Sequence, residues 1–384
     1  MNNLKSAIKK IGFVKKLRAI KWKRHARAEL FTAAERSFLE KNPDKISKEL
    51  PKHLERLPDG GKSKLAELNK VYHRSPLSKR PGLDEEALKE DILFWHFAYG
   101  FTFQEYASYQ FVDKAPEERR LFLSDRDCAC LCYDLNDLEA RMVLADKTAT
   151  YERFKPYFDR EAITISEYAD LEKFLSFLKR HERFVKKDAF ESCGRSVELI
   201  DLEKVPTPPK ELFETWISQG KTILEEVVVQ SEKLALFNSS SVNTVRSITF
   251  CTKNGVTAPF FFMKSGRAGS FIDNGAAGGL IIGVDAETGI LGTATDEYGN
   301  RFERHPDSGV LFHGFQLPDW NQLIDTCCEM SAMLPTVRII GWDMAHTDHG
   351  WVAIEGNSMT EAIGPQSTLL RGMRETVEAL RTKM

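Results

Sequence analysis

The stretch that most constrains this chain is Ile340-Gly-Trp-Asp-Met-Ala-His-Thr-Asp-His-Gly-Trp-Val-Ala-Ile-Glu-Gly-Asn-Ser358. It reads as two strands joined by a tight turn at Thr347–Gly350. Asp343 falls on the first strand, Glu355 and Asn357 on the second. Side chains two apart on a strand share a face. Folding the hairpin about Asp348–His349 brings Asp343 within about one residue of opposite Glu355. Three oxygen donors then converge. Such a set suits Mg²⁺ or Mn²⁺, and a Mg²⁺ held by few protein ligands usually also holds nucleotide phosphates. The plainer reading is a surface hairpin with ordinary polar residues. Glu355 argues against it, because Val352-Ala-Ile354 and Gly356 around it read as buried, and a buried carboxylate needs a cation or a hydrogen-bond partner.

Whole-chain numbers set the frame. At 384 residues, with 42% hydrophobic and 29% charged side chains, the chain has the composition of an ordinary soluble protein with two or three subdomains. A net charge of −2 gives no strong nucleic-acid signal. No apolar run approaches the roughly 20 residues that span a bilayer, and the start lacks the apolar core of a signal peptide. The expected location is cytoplasmic, with the seven cysteines reduced. Cys128, Cys130 and Cys132 alternate as if on one face of a strand. No C-x-x-C pair accompanies them, so they read as small apolar side chains.

Along the chain, residues 1–80 read as a basic, helical extension. Residues 1–28 hold ten Lys or Arg and no acid, and Leu4, Ile8, Ile11, Val14 and Leu17 recur at helical spacing. This stretch suits an anionic membrane surface, RNA or an anionic polymer, or simple packing on the rest of the protein. Residues 81–143 form a second region, with a helical, aromatic core expected over 84–112 and a strand toward Tyr133. Residues 144–235 alternate helices and strands, with a strand expected over Ile223–Val229. Residues 236–384 are sheet-rich and end in the hairpin and a helix.

Other residues look chemical. Lys147 opens a helix, and Lys186 ends a strand before the loop 187–195, where an ammonium and backbone N–H groups suit phosphate. Glu225 and Glu226, or the backbone beside them, suit an adenine edge or a ribose. Asn243 leads the strand carrying Arg246, whose fork suits a phosphate or acyl-phosphate. Arg267, Asp273, Asn274, His305 and His313 are candidates for an acceptor pocket. Each also has an ordinary structural reading.

The order Asp146-Lys147, Lys186, Glu225-Glu226, Ser241-Val-Asn-Thr-Val-Arg246, Asp273-Asn274, His305-Pro306, Gly341-Trp-Asp343, Ile354-Glu-Gly-Asn357 resembles the ATP-grasp superfamily. Within it the chain is most similar to the sugar-transfer-associated, glutamate-ligase-related branch, over roughly residues 95–384. The resemblance implies an α+β fold in which 144–235 is a small lid subdomain and 236–384 a large one, clamping ATP. It implies that Lys147 and Lys186 contact phosphates and the adenine side, and that Glu225, Glu226 and Val228 hold adenine and ribose. Asn243 would adjoin the nucleotide. Asp343, Glu355 and Asn357 would hold Mg²⁺ or Mn²⁺, and Arg246 would stabilise the transferring phosphoryl group. The loop after Lys186 is poorer in glycine than the family pattern.

The expected activity is an ADP-forming carboxylate–amine ligation through an acyl-phosphate, on a small-molecule, sugar or peptide substrate, in cell-surface polysaccharide or peptide modification. The alternatives are a phosphotransferase on the same nucleotide site, and a membrane- or polymer-docked scaffold without catalysis.

Overall fold

The computed structural model describes residues 30–384 except 58, 191–195, 268 and 270–277. The basic segment 1–28, the loop over Ser192–Gly194, and Asp273 and Asn274 lie wholly or mostly outside the described residues.

The first region is helical and packs on its own aromatic core. Asp84 caps helix Glu85–Tyr99 by accepting from the N–H groups of Glu86 and Ala87, and Gly100 ends it in the left-handed conformation. Thr102 and Glu105 form a capping box for helix Phe103–Ser108. Phe94, Trp95, Phe101, Tyr106, Tyr109 and Phe111 are buried together, as the aromatic density of 84–112 implies.

The segment expected to become a strand near Tyr133 is instead helix Asp125–Leu135, capped by Ser124 with Asp127. A Ser-x-x-Asp box outweighs the apparent two-residue alternation. Cys128 and Cys132, one turn apart, are therefore buried while Cys130 is only partly so. They pack with Ile248, Phe250 and Met373.

Two antiparallel sheets follow. The first has four strands in the order β1-β4-β2-β3: β1 (Ala162–Ile165), β2 (Arg183–Asp188), β3 (Glu198–Asp201) and β4 (Thr222–Glu226). Helices Leu171–Leu178 and Pro209–Gln219 cover one of its faces through Phe174, Phe177, Phe213 and Trp216. The expected strand over Ile223–Val229 stops at Glu226, where the ladders to β1 and β2 end.

The second sheet has seven strands in the order β11-β10-β5-β6-β7-β8-β9. These are β5 (Thr244–Thr252), β6 (Gly255–Ser265), β7 (Leu280–Val284), β8 (Leu291–Thr295), β9 (Arg301–Phe302), β10 (Ile339–Thr347) and β11 (Gly350–Asn357). One face buries Val245, Met263, Ile282, Trp342, Met344 and Ala353 against helix Trp320–Ala332 and helix Lys147–Phe158. Ile223 of the small sheet joins that same core. The opposite face of β5, β6, β10 and β11 carries the charged residues.

Among the described residues no helix is long and apolar enough to cross a membrane.

Candidate active site

The expected hairpin is present. Asp343 stands directly opposite Glu355 across the ladder, and Gly341 opposite Asn357. Asp343 is also the cross-strand partner of Arg246, and Thr244, two residues from Arg246, is the partner of Lys264. Cross-strand partners and residues two apart share a face. Lys264, Arg246, Asp343, Glu355 and Asn357 therefore stand together.

Asp343 is buried at 1% exposure. Arg246 grips it with both arms of its fork, Nη2 donating to Oδ2 at 2.7 Å. Lys264 Nζ lies 3.0 Å from the same Oδ2. Burial alone would raise the Asp343 pKa; Arg246 and then Lys264 outweigh it and hold the carboxyl well below the usual range. Glu355 is half-buried rather than buried, and Asn357 Nδ2 donates to its Oε1 at 3.1 Å. The Arg246 guanidinium also comes within 3.9 Å of Glu361, a half-exposed carboxylate.

The donor set fits a divalent cation. The Asp343 and Glu355 carboxylates and the Asn357 amide oxygen are all hard donors; both Asp343 oxygens are held by Arg246 and Lys264, so a cation would share that carboxylate with them. Among the described residues no three His, Cys, Asp or Glu converge as a metal cage.

Across from this face, Asp146 caps the helix that Lys147 opens, accepting from Thr148 N at 3.0 Å, and also pairs with Lys221 at 2.8 Å. The Lys147 ammonium is lowered, chiefly by burial, with Glu355 opposing and Lys187 reinforcing the shift. Lys147, Lys187 and Glu355 are thus electrostatic neighbours.

Several expected residues sit elsewhere. Lys186 shares its face with Leu224 and Phe184, under the covering helices; its Nζ pairs with Glu198 at 2.7 Å and lies 5.5 Å from the Trp216 ring centre. The next residue, Lys187, points to the face away from the covering helices and meets Glu225 at 3.0 Å. Strand parity thus puts the two neighbouring lysines on opposite faces of the small sheet.

Glu225 is buried, with Oε1 taken by Lys187 and Oε2 by Arg160, whose Nε donates at 2.8 Å. Burial would raise its pKa; Arg160 and Lys187 hold it at about 2. The Glu226 carboxylate accepts from Glu161 N at 3.1 Å. Both carboxylates are engaged within the protein, and Val228 lies past the end of the β4 ladders.

Asn243 is fully buried. Its amide donates to Gln230, Leu234 and Asn238 while its oxygen accepts from Ser265. Its side chain spends its donors within the protein. Arg267 forms a forked surface pair with Asp307. His305 is buried, bonded to Gly266 O at 3.0 Å, and its Nδ1 accepts from Asp307 N, so it shapes a loop. His313 is exposed. None of these three joins the carboxylate cluster.

Sequence reasoning missed Lys264, Lys187 and Arg160. Lysine pairing with Asp343 across two strands has no local signature, and Arg160 acts over a sequence distance of 193 residues.

The family model for sugar-transfer associated ATP-grasp matches residues 131–381. The chain belongs to this family. The match begins later than the resemblance at about residue 95 suggested, and covers both sheets. No curated protein matches this ATP-grasp chain in sequence.

Among solved structures, it is similar to the D-alanine-D-alanine ligase of Coxiella burnetii at TM-score 0.41 and 8% identity, over 65% of this chain and 59% of that one. It is similar to the ATP-grasp ligase PsnB complexed with minimal precursor at TM-score 0.40 and 9% identity, over 68% and 71%. The N5-carboxyaminoimidazole synthetase of Staphylococcus aureus, complexed with ADP, gives TM-score 0.39 and 12% identity, over 64% and 54%.

Proposed function

We propose that this ATP-grasp protein is an ATP- and Mg²⁺-dependent carboxylate–amine ligase that works through an acyl-phosphate. The observation that carries the reading is the shared face of Lys264, Arg246, Asp343, Glu355 and Asn357, with Lys147 and Lys187 nearby. These cations suit a polyphosphate, and the oxygen donors suit the divalent ion that accompanies it.

In this reading Asp343, Glu355 and Asn357 would hold the divalent cation, which supplies charge neutralisation at the phosphates when bound. Lys147 and Lys187 orient the phosphate chain. A substrate carboxylate oxygen attacks the γ-phosphorus; the bond from that phosphorus to the β–γ bridging oxygen breaks, and ADP leaves. Arg246, fixed by its buried partner, is positioned for the charge on the transferring group. The amine nitrogen then attacks the acyl carbon, loses a proton, and the acyl-phosphate C–O bond breaks to release phosphate.

Glu361 favours an amine as the second substrate. A half-exposed carboxylate 3.9 Å from Arg246 attracts an ammonium group and repels a second anion. The acceptor class is a sugar, amino acid or peptide of the cell surface. Docking of residues 1–28 on an anionic membrane or polymer belongs to the same proposal, and equal liposome sedimentation with and without them would remove it.

The deciding experiment follows phosphorus NMR of the protein with Mg-ATP and pooled carboxylates, amines and amino sugars. ADP and free phosphate in equal amounts, dependent on both a carboxylate and an amine, are expected. ADP with a phosphorylated product and no matching free phosphate would make the protein a phosphotransferase.

A further inference from the structure

The β10–β11 ladder is regular from Thr347↔Gly350 to Met344↔Ala353 and resumes at Asp343↔Glu355, leaving Ile354 without a partner. Continued without this slip, the register would set Ile354 opposite Asp343 and turn Glu355 to the other face. The inserted residue is what brings the two carboxylates side by side.

A bulge leaves backbone carbonyls short of ladder partners. Here one guanidinium takes them. Arg160 Nη1 donates to Ala353 O at 2.6 Å and Nη2 to Ile354 O at 3.4 Å. The same side chain, 3% exposed, binds Glu225 Oε2 through Nε at 2.8 Å and Nη2 at 2.6 Å. Phe158 lies against it, its ring centre 4.6 Å from the guanidinium carbon. Glu225 in turn holds Lys187. A continuous path of buried polar contacts runs from Lys187 to the residue before Glu355.

We propose that Arg160 is a positioning residue. It fixes the bulge that aims Glu355, and it ties that aim to the small-sheet strand through Glu225. The inference rests on reading Glu355 as a metal ligand. A lysine at 160 keeps the charge and loses the fork, so the bulge carbonyls and Glu225 can no longer be held at once.

The test is Mn²⁺ binding by electron paramagnetic resonance, with a β,γ-imido ATP analogue and no turnover, on the full chain. Arg160→Lys is expected to weaken Mn²⁺ binding by about 10- to 100-fold, the range for groups that orient a metal ligand. Glu225→Gln keeps the guanidinium and loosens its other anchor, and weakens the Glu225–Lys187 pair as well, so its Mn²⁺ affinity is read beside that of Lys187→Ala. Glu225→Gln is expected to weaken Mn²⁺ in the same direction by about threefold or more, since the two contacts share one side chain.

Wild-type affinity in a folded Arg160→Lys protein would overturn the proposal. If that variant does not fold, unchanged affinity in Glu225→Gln overturns it instead. Failure of the wild type itself to bind Mn²⁺ would remove the metal reading, and this inference with it.

Discussion

Arg246 runs across the bare backbone of Gly341: its Cδ lies 3.1 Å from where a Cβ would stand, and Thr360 Oγ1 lies 2.8 Å from the same point. The missing side chain gives the guanidinium its straight approach to Asp343. Gly341→Ala is expected to push Arg246 off that approach and reduce kcat by about 10- to 100-fold, because misplacing a phosphoryl-site group by a fraction of an ångström to an ångström is felt at this scale. Steady-state ADP release checks it; an unchanged kcat would show that Arg246 does not act at the transferring phosphoryl group.

Glu355→Gln removes one negative charge from the donor set while keeping its shape. ADP formation is expected to disappear with Tm within a few degrees of wild type. Turnover retained in this variant removes the metal assignment.

Lys186 and Lys187 differ only in which face of β2 they occupy. Lys187→Ala is expected to weaken ATP binding by about 10- to 100-fold, the loss of one charge-assisted contact. Lys186→Ala is expected to lower Tm by loosening Glu198 and Trp216 while ATP affinity stays near wild type. Calorimetric titration of both variants decides between the faces; the reverse pattern would return the phosphate contact to Lys186.

Glu225 gives a pH signature. Its folded pKa of about 2 lies below its ordinary 4.5. The stabilisation is therefore fully present above pH 4.5 and is lost as pH falls toward 2, about 3 kcal/mol in all. Urea midpoints across that window should slope for the wild type. Glu225→Gln should be less stable at neutral pH, where Arg160 loses its charge partner, and should lose this part of the slope.

The hairpin was legible because both of its determinants are local: a turn at Thr347–Gly350 and two-residue spacing between Glu355 and Asn357. The helix that Lys147 opens was legible too, while its cap, Asp146, shows only in the structure. The faces of Lys186 and Lys187 were not legible, because a short strand with two lysines does not declare which side the helices cover. The cysteine helix was misread from alternation that its cap contradicts. Glu225 and Asn243 are polar residues at strand ends, and only their partners, Arg160 and Lys187 in one case and Gln230 and Ser265 in the other, show that they are already engaged. Those partners arrive from elements the local pattern cannot place.

The small sheet is one unbroken run of chain, entered after Glu161 and left after Glu226, and these two crossings are bonded to each other, Glu226 N to Glu161 O at 2.9 Å. The sheet is thus fastened like a page to a spine. Lys147 N to Ala189 O and Asp146 to Lys221 are fastenings away from that spine, while Arg160 sits on it. A turn of the page about the spine would strain the outlying fastenings first and leave the bulge beside Glu355 undisturbed.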